Sequence, residues 1–200
     1  MTRSLPLITL VALLAGCATQ APGPNGTRHV GDWKNQQTTL DELDTWKLAG
    51  KVGLRAPDTH QSANLDWTQQ ASHYRLLLTG PFGAGRTVLD GQPGQVTLTN
   101  GDGEFSAPTP EALMQERLGW SLPVSSLDHW IKARPAPGSE SHIERDDLGF
   151  PATLSQAGWV ITYKRWTLVD GLWLPGRITM TQGDIRAVLV VTNWQPGASP

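Results

Sequence analysis

Trp46-Lys47-Leu48-Ala49-Gly50-Lys51-Val52-Gly53-Leu54 decides the fold, because its apolar side chains return every second residue. Trp46, Leu48, Val52 and Leu54 fall on one side and Lys47, Ala49 and Lys51 on the other, the signature of a half-buried strand. The same period continues downstream. Ala63, Leu65 and Trp67 alternate; Tyr74, Leu76 and Leu78 do so with Leu77 opposite; Val88-Leu89 precedes Asp90-Gly91, and Val96 and Leu98 precede Asn100-Gly101. Both dipeptides read as hairpin turns, since Asn, Asp and Gly tolerate positive φ. Near the C-terminus, Trp159, Ile161 and Tyr163 alternate, Leu168 precedes Asp170-Gly171, and Trp173–Met180 and Ile185–Trp194 flank the turn Gln182-Gly183-Asp184. Pro175 cannot donate to a ladder, which argues for an edge or a bulge there.

The period changes in two places. Asp32 to Asp44 is polar with Trp33, Leu40 and Leu43 as its apolar points, a short helix leading into the domain. In the middle, Thr109 followed by Pro110 reads as N-cap and first helical residue, with Glu111 favourable in the first turn. Leu113, Met114, Leu118 and Trp120 give that helix its apolar side, and Gly119 ends it. Ser125-Ser126-Leu127-Asp128 has the pattern of a capping box for a second helix carrying Leu127, Trp130 and Ile131, closed by Arg134-Pro135-Ala136-Pro137-Gly138. The sum is a mostly β chain of about nine to eleven short antiparallel strands with two central helices, a curved sheet wrapped around its helices.

The N-terminus specifies destination. Arg3, an apolar run from Leu5 to Ala15 and the small residues Ala15-Gly16 form a signal peptide over residues 1–16, too short to span a bilayer. Leu14-Ala15-Gly16-Cys17 resembles the bacterial lipobox, so Cys17 is the expected site of lipidation and cleavage falls just before it. Cys17 is also the only cysteine of the 200 residues, which excludes an intramolecular disulfide and cysteine-rich metal sites. Residues 17–31 are rich in Ala, Thr, Pro and Gly without apolar period, a flexible tether, and residues 32–200 are expected to form a single domain. Ala18 after the cysteine, where an aspartate would resemble an inner-membrane retention signal, points to the periplasmic face of the outer membrane. A net charge of −2 without a Lys/Arg block gives no footprint for nucleic acid.

Catalytic chemistry finds no support in the sequence. His29, His60, His73, His129 and His142 make no i, i+4 pair and no HExxH. Gly80-Pro81-Phe82-Gly83-Ala84-Gly85 lacks the Lys-Ser/Thr of a phosphate loop and any βαβ context. Glu144, Asp146 and Asp147 read as a solvated loop, and Ser125 and Ser126 as caps, since GxSxG is absent. No metal site and no cofactor are expected. The unusual component is tryptophan, nine residues against two Tyr and three Phe, more bulky amphipathic rings than a small core readily hides.

Tyr74-Arg75-Leu76-Leu77-Leu78-Thr79-Gly80-Pro81-Phe82-Gly83, Leu122-Pro123-Val124-Ser125-Ser126-Leu127-Asp128-His129-Trp130-Ile131 and Trp159-Val160-Ile161-Thr162-Tyr163 together resemble the LolB family of outer-membrane lipoprotein receptors. The resemblance runs from the lipobox to the last strand. It implies an open, twisted antiparallel half-barrel of about eleven strands covered by helices, with an apolar cavity for acyl chains. It further implies a non-enzymatic, monomeric receptor that accepts acylated lipoproteins from a soluble periplasmic carrier and inserts them among outer-membrane phospholipids. By local match, Trp67, Trp130 and Trp159 would line the cavity, and Pro81, Phe82 and Gly83 would form a membrane-insertion loop, with Phe82 where the family pattern has leucine. The competing reading is an envelope-binding structural lipoprotein whose β-domain docks a protein. A continuous apolar space beside the three tryptophans would favour acyl transfer, and a filled core with an exposed patch would favour docking.

Overall fold

The computed structural model describes residues 26–57, 59–83, 85–118 and 121–198. The signal sequence 1–16, Cys17, most of the tether, and the helix end at Gly119 and Trp120 lie outside the described residues. Helix α1 (Asp32–Glu42) leads into β1 (Thr45–Ala56), β2 (Thr59–Gln70), β3 (His73–Thr79), β4 (Arg86–Gln92), β5 (Gln95–Asn100) and β6 (Gly103–Ala107). Two helices follow, α2 (Pro110–Leu118) and α3 (Val124–Trp130), and then β7 (Ser141–Arg145), β8 (Pro151–Gln156), β9 (Trp159–Val169), β10 (Leu172–Gln182) and β11 (Ile185–Pro196).

All eleven strands form one antiparallel sheet in the order β6-β5-β4-β3-β2-β1-β11-β10-β9-β8-β7. The first and last strands pair in its middle, while β6 and β7 are its two free edges. The chain between those edges is α2 and α3, so the helices close what the sheet leaves open. This is the expected half-barrel: mostly β, with central helices.

Register explains why one face is interior. A lateral row runs Phe105, Leu98, Leu89, Leu76, Trp67, Leu48, Trp194 from β6 to β11. A second runs Ile143, Leu154, Ile161, Met180, Ala187, Leu54 from β7 to β1. Since side chains alternate along the strands except at irregularities such as the register shifts by Ala49/Gly50 and Glu144/Arg145, a one-residue slip would turn a strand's apolar set to water. Each large side chain so buried contributes roughly 1.5–3 kcal/mol.

Several sequence expectations hold. Asp170-Gly171 joins β9 to β10 with both residues at positive φ (50° and 82°), and Thr109 caps α2 by accepting from Ala112 N at 3.2 Å. Pro175 occupies an edge position within β10: the ladder to β11 starts only at Arg177, so the missing N–H faces no partner strand. Two expectations fail. Asp90-Gly91 lies inside β4 and the turn falls at Pro93-Gly94, because a side chain at 91 would collide with the Tyr74 ring and only glycine admits that packing. Nor do Ser125 and Ser126 cap α3, whose N-cap is Pro123 without a side-chain bond. Glu111 of α2 serves that end instead, accepting from Ser125 N at 2.8 Å and from Ser125 Oγ at 2.9 Å.

Candidate functional site

The interior between sheet and helices holds three groups of tryptophan, one of them Trp33, Trp166 and Trp173 around Phe150. On β1, β2 and β11, Trp46 stands 4.9 Å from Trp67 and 5.5 Å from Trp194, centroid to centroid, with the planes inclined by about 60°. Trp67 Nε1 donates to Gln69 Oε1 at 3.0 Å and Trp194 Nε1 to the Pro175 carbonyl at 3.1 Å, whereas the buried Trp46 Nε1 has no protein partner. Under α3, Trp130 lies 6.4 Å from Trp159. The structure therefore brings Trp130 and Trp159 together and gives Trp67 different aromatic neighbours. All three belong to one apolar core, with exposures of 3, 0 and 4 % for Trp67, Trp130 and Trp159.

These values describe an interior packed around the three rings, so among the described residues the continuous apolar space expected beside them is not open in this structure. Depressions of about 430 Å³ around Tyr74, Asp90 and Thr97, and of about 400 Å³ around Gly53, Arg55 and Arg186, touch none of the three tryptophans. Any ligand entering beside Trp67 or Trp130 would have to displace packed side chains or move the helices.

The helices are tied unequally. Gln156 is the main clamp of α3, accepting from Trp130 Nε1 at 2.7 Å and Ala136 N at 2.9 Å while donating to the carbonyls of Ala136 at 2.7 Å and Ser139 at 3.1 Å. Beyond α3, the buried Lys132 donates to the Leu43 carbonyl at 2.7 Å, and Arg134 pairs with Asp41 of α1. Burial pushes the Lys132 ammonium below its ordinary range, with the neighbouring Asp128 acting against that shift. By contrast α2 buries Leu113, and the Arg117 guanidinium lies 3.3 Å from the centre of the half-buried Phe105 ring on edge strand β6. Its bonds to α3 through Glu111 are solvent-exposed. Exposed ties of this kind hold weakly, so α2 is the looser half of the cover.

The segment between β3 and β4 forms the predicted loop. Thr79 pairs with Arg86, Gly80 N donates to Gly85 O at 3.2 Å, and Pro81–Gly83 makes a single 3-10 turn with Gly83 and Gly85 at positive φ. Pro81 and Gly83 are exposed. The side chain of Phe82 lies outside the described set, as does Cys17.

Some organising residues are not evident as such in the sequence. Gln36 of α1 brackets Trp173, donating to its carbonyl at 2.9 Å and accepting from its N–H at 2.7 Å. Gln156 extends the period of Leu154 onto the apolar face, which could have marked it as a buried polar group. Asp146, expected in a solvated loop, instead organises a turn: it accepts from Arg28 at 2.6 Å, Phe150 N at 2.9 Å and Leu148 N at 3.1 Å. Burial would raise its pKa, but these donors outweigh that and hold the carboxyl below its ordinary value. Among the described residues no group of three or more His, Cys, Asp or Glu is arranged to hold a metal ion.

A single antiparallel sheet with an aromatic interior and a helical cover defines the class of open β half-barrels. Solved structures of that shape include a LolA-superfamily protein from Nitrosomonas europaea, with a TM-score of 0.56 at 12% identity over 88% of this chain and 96% of that one. A putative outer membrane lipoprotein-sorting protein domain from Vibrio parahaemolyticus gives 0.54 at 6% identity, over 84% and 92% of the two chains. At such identities the likeness concerns the fold alone. Sequence narrows the class: residues 44–194 match the family described as outer membrane lipoprotein LolB. The outer-membrane lipoprotein LolB of Chromohalobacter salexigens is 57% identical over 94% of this chain and 88% of its own length. That of Pseudomonas aeruginosa PAO1 is 42% identical over 93% and 92%. The chain belongs to the LolB family, and its place is the outer membrane. Among the described residues no helix is long and apolar enough to cross a membrane.

Proposed function

We propose that this chain is a monomeric, lipid-anchored receptor on the periplasmic face of the outer membrane, which takes acylated lipoproteins from a soluble periplasmic carrier and passes them into the phospholipid leaflet. The observation that carries this reading is an aromatic and aliphatic interior bounded by two free sheet edges and spanned only by short helices, the looser of them held by exposed bonds. Acyl chains enter by displacing that cover, and Trp67, Trp130 and Trp159 supply wall to the space that opens. Transfer needs no catalysis. A tenfold preference of the receiver over the carrier requires only about 1.4 kcal/mol, the burial of roughly two further methylenes.

Cys17, outside the described residues, is the proposed lipidation site, and since one medium acyl chain holds only marginally, stable anchoring implies more than one. The loop Pro81-Phe82-Gly83 is the proposed insertion element. Pro81 fixes one dihedral, the glycines keep the neighbourhood small, and the Thr79–Arg86 pair holds its base.

A two-stage assay tests the reading by scoring carrier-to-receptor and receptor-to-liposome transfer separately. Phe82→Glu should leave the first stage intact and depress the second, because a charge at the insertion point must be desolvated, while Phe82→Leu keeps an apolar tip and most of the activity. Failure of the folded wild-type protein, in excess, to take a labelled lipoprotein from the carrier would overturn the receptor role. Equal insertion by Phe82→Glu and wild type would remove the loop from it.

A further inference from the structure

The convex face of the sheet has a charge distribution that the acyl-binding role leaves unexplained. Strands β1, β9, β10 and β11 are contiguous around the centre of the sheet and contain no Asp or Glu. Alternation places Lys47, Lys51 and Arg55 of β1, Arg186 of β11, Arg177 of β10 and Lys164 of β9 on the face opposite the apolar rows. Arg55 stands directly across from Arg186, and Lys164 directly across from Arg177. Like charges in such register repel. Among the described residues none of these six cations has a carboxylate at ion-pair distance, although the whole chain is net acidic at −2. On β2 the same face carries Asp66, opposite Ala49 and away from both cation pairs.

The face also has a depression. About 400 Å³ opens over Gly53, whose missing side chain would meet nothing within 4 Å, and its rim includes Arg55, Arg186, His60 and Ser62. Two guanidiniums around a cup of this kind suit a phosphodiester, which guanidinium groups bind through paired N–H donors.

We infer that this convex basic face rests on the anionic phospholipid headgroups of the bilayer to which the chain is anchored. The end of the described chain favours that occupant. Gly26 packs against the inward-facing Leu168 and Trp173 at the β9–β10 hairpin, the end of the two strands that carry Lys164 and Arg177 on their other face. The nine residues from there to Cys17 can reach at most about 30 Å even when fully extended. Anionic headgroups are therefore held near the cationic strands at high effective concentration. With this face on the lipid, the opposite face and its helical cover turn toward the periplasm, where a carrier can reach them. The inference rests on the proposed anchoring at Cys17.

The test uses the mature acylated protein reconstituted into vesicles of phosphatidylcholine alone or mixed with phosphatidylglycerol. Lysines are then labelled with a water-soluble amine reagent and read by mass spectrometry. Each cation near an anionic surface shifts the balance about fivefold, or about 1 kcal/mol. Labelling of Lys51 and Lys164 should accordingly fall at least about fivefold in the anionic vesicles and recover in high salt, while Lys34 of α1 stays unchanged. The triple variant Arg55→Gln, Arg177→Gln, Arg186→Gln should lose that protection yet keep its fold, since it removes repulsion and no ladder bond. Equal labelling of wild type in the two vesicle types would overturn the inference, as would protection that appears only when the carrier protein is added, which would assign the face to an acidic protein. Carrier-to-receptor transfer measured on the same vesicles separates the two readings: retained transfer without protection sinks the membrane face alone, and lost transfer sinks the receptor role.

Discussion

Replacing Gln156 with alanine should cost more stability than any other polar-to-alanine change in the cover. The residue is 2 % exposed and makes four hydrogen bonds between β8 and the segment ending α3. Truncation strands Trp130 Nε1 and both backbone groups of Ala136 away from water, while Ser139, being exposed, recovers a solvent partner. Each buried polar group left unpaired costs roughly 1–3 kcal/mol, and partial relaxation keeps the sum to about 3–5 kcal/mol. Urea unfolding followed by tryptophan fluorescence measures this, with Gln92→Ala as comparison. Gln92 also makes side-chain bonds, to His73 and Gln95, but they are exposed, and its loss should stay within about 0.5 kcal/mol. Amide exchange in Gln156→Ala should quicken through residues 124–136 and not in β1 or β11. A Gln156→Ala variant within about 1 kcal/mol of Gln92→Ala, with α3 exchange unchanged, would refute the clamp.

Gly91→Ala should destabilise by about 1–3 kcal/mol, since its Cβ must displace the Tyr74 ring, and calorimetry would show a lower Tm; an unchanged Tm would mean that the ring moves freely. Tyr163→Phe should be neutral or stabilising by about 1 kcal/mol, because the hydroxyl is buried without a protein partner; a loss of that size in urea would reveal a bond that matters. Alkaline stability should fall with a definite sign. Burial, aided by Glu111, raises Tyr74 from 10.0 to about 12, and burial raises Tyr163 well above 10.0. The folded state then keeps protons that the unfolded state releases, so the tyrosine contribution is intact below pH 10 and lost as pH rises toward 12. Unfolding curves across that window should show Tyr163→Phe losing less than wild type.

Strand content was legible because period two is a local property: Trp46 to Leu54 announces β1, and Thr109-Pro110 announces α2 with its cap. Hairpins with two residues at positive φ, as at Asp170-Gly171, were legible for the same reason. What the period could not reveal was partnership across the chain. The cap of α3 comes from Glu111, fourteen residues away, so a local Ser-x-x-Asp pattern misled. Asp90-Gly91 looked like a turn because the reason for glycine is a ring on the adjacent strand. The pairing of β1 with β11, between Trp46 and Pro196, leaves no local trace, and without it the meander has no closure. Of the site, the tryptophans could be named and the burial of their rings could not, because packing depends on which faces the closure brings together.

That closure also divides the molecule mechanically. Pairing the two ends of the chain in mid-sheet places the longest strands, β1, β2, β9, β10 and β11, side by side, where each bonds to two neighbours over much of its length. The short strands β6 and β7 are left at the edges, and the helices that join them lie in the same stretch of sequence. Opening α2 therefore breaks exposed side-chain bonds and edge contacts, while the central ladders remain intact. A protein that must admit large apolar cargo without unfolding needs this separation, because a core that is already filled can accept an acyl chain only by giving up contacts elsewhere. The cover is where those contacts cost least. The division also explains why a filled interior and a transfer role are compatible. On the proposed role, the buried tryptophans stabilise the closed state and cargo would replace the helical side chains as their partner, so that binding would exchange one apolar contact for another at a net free energy small enough for release.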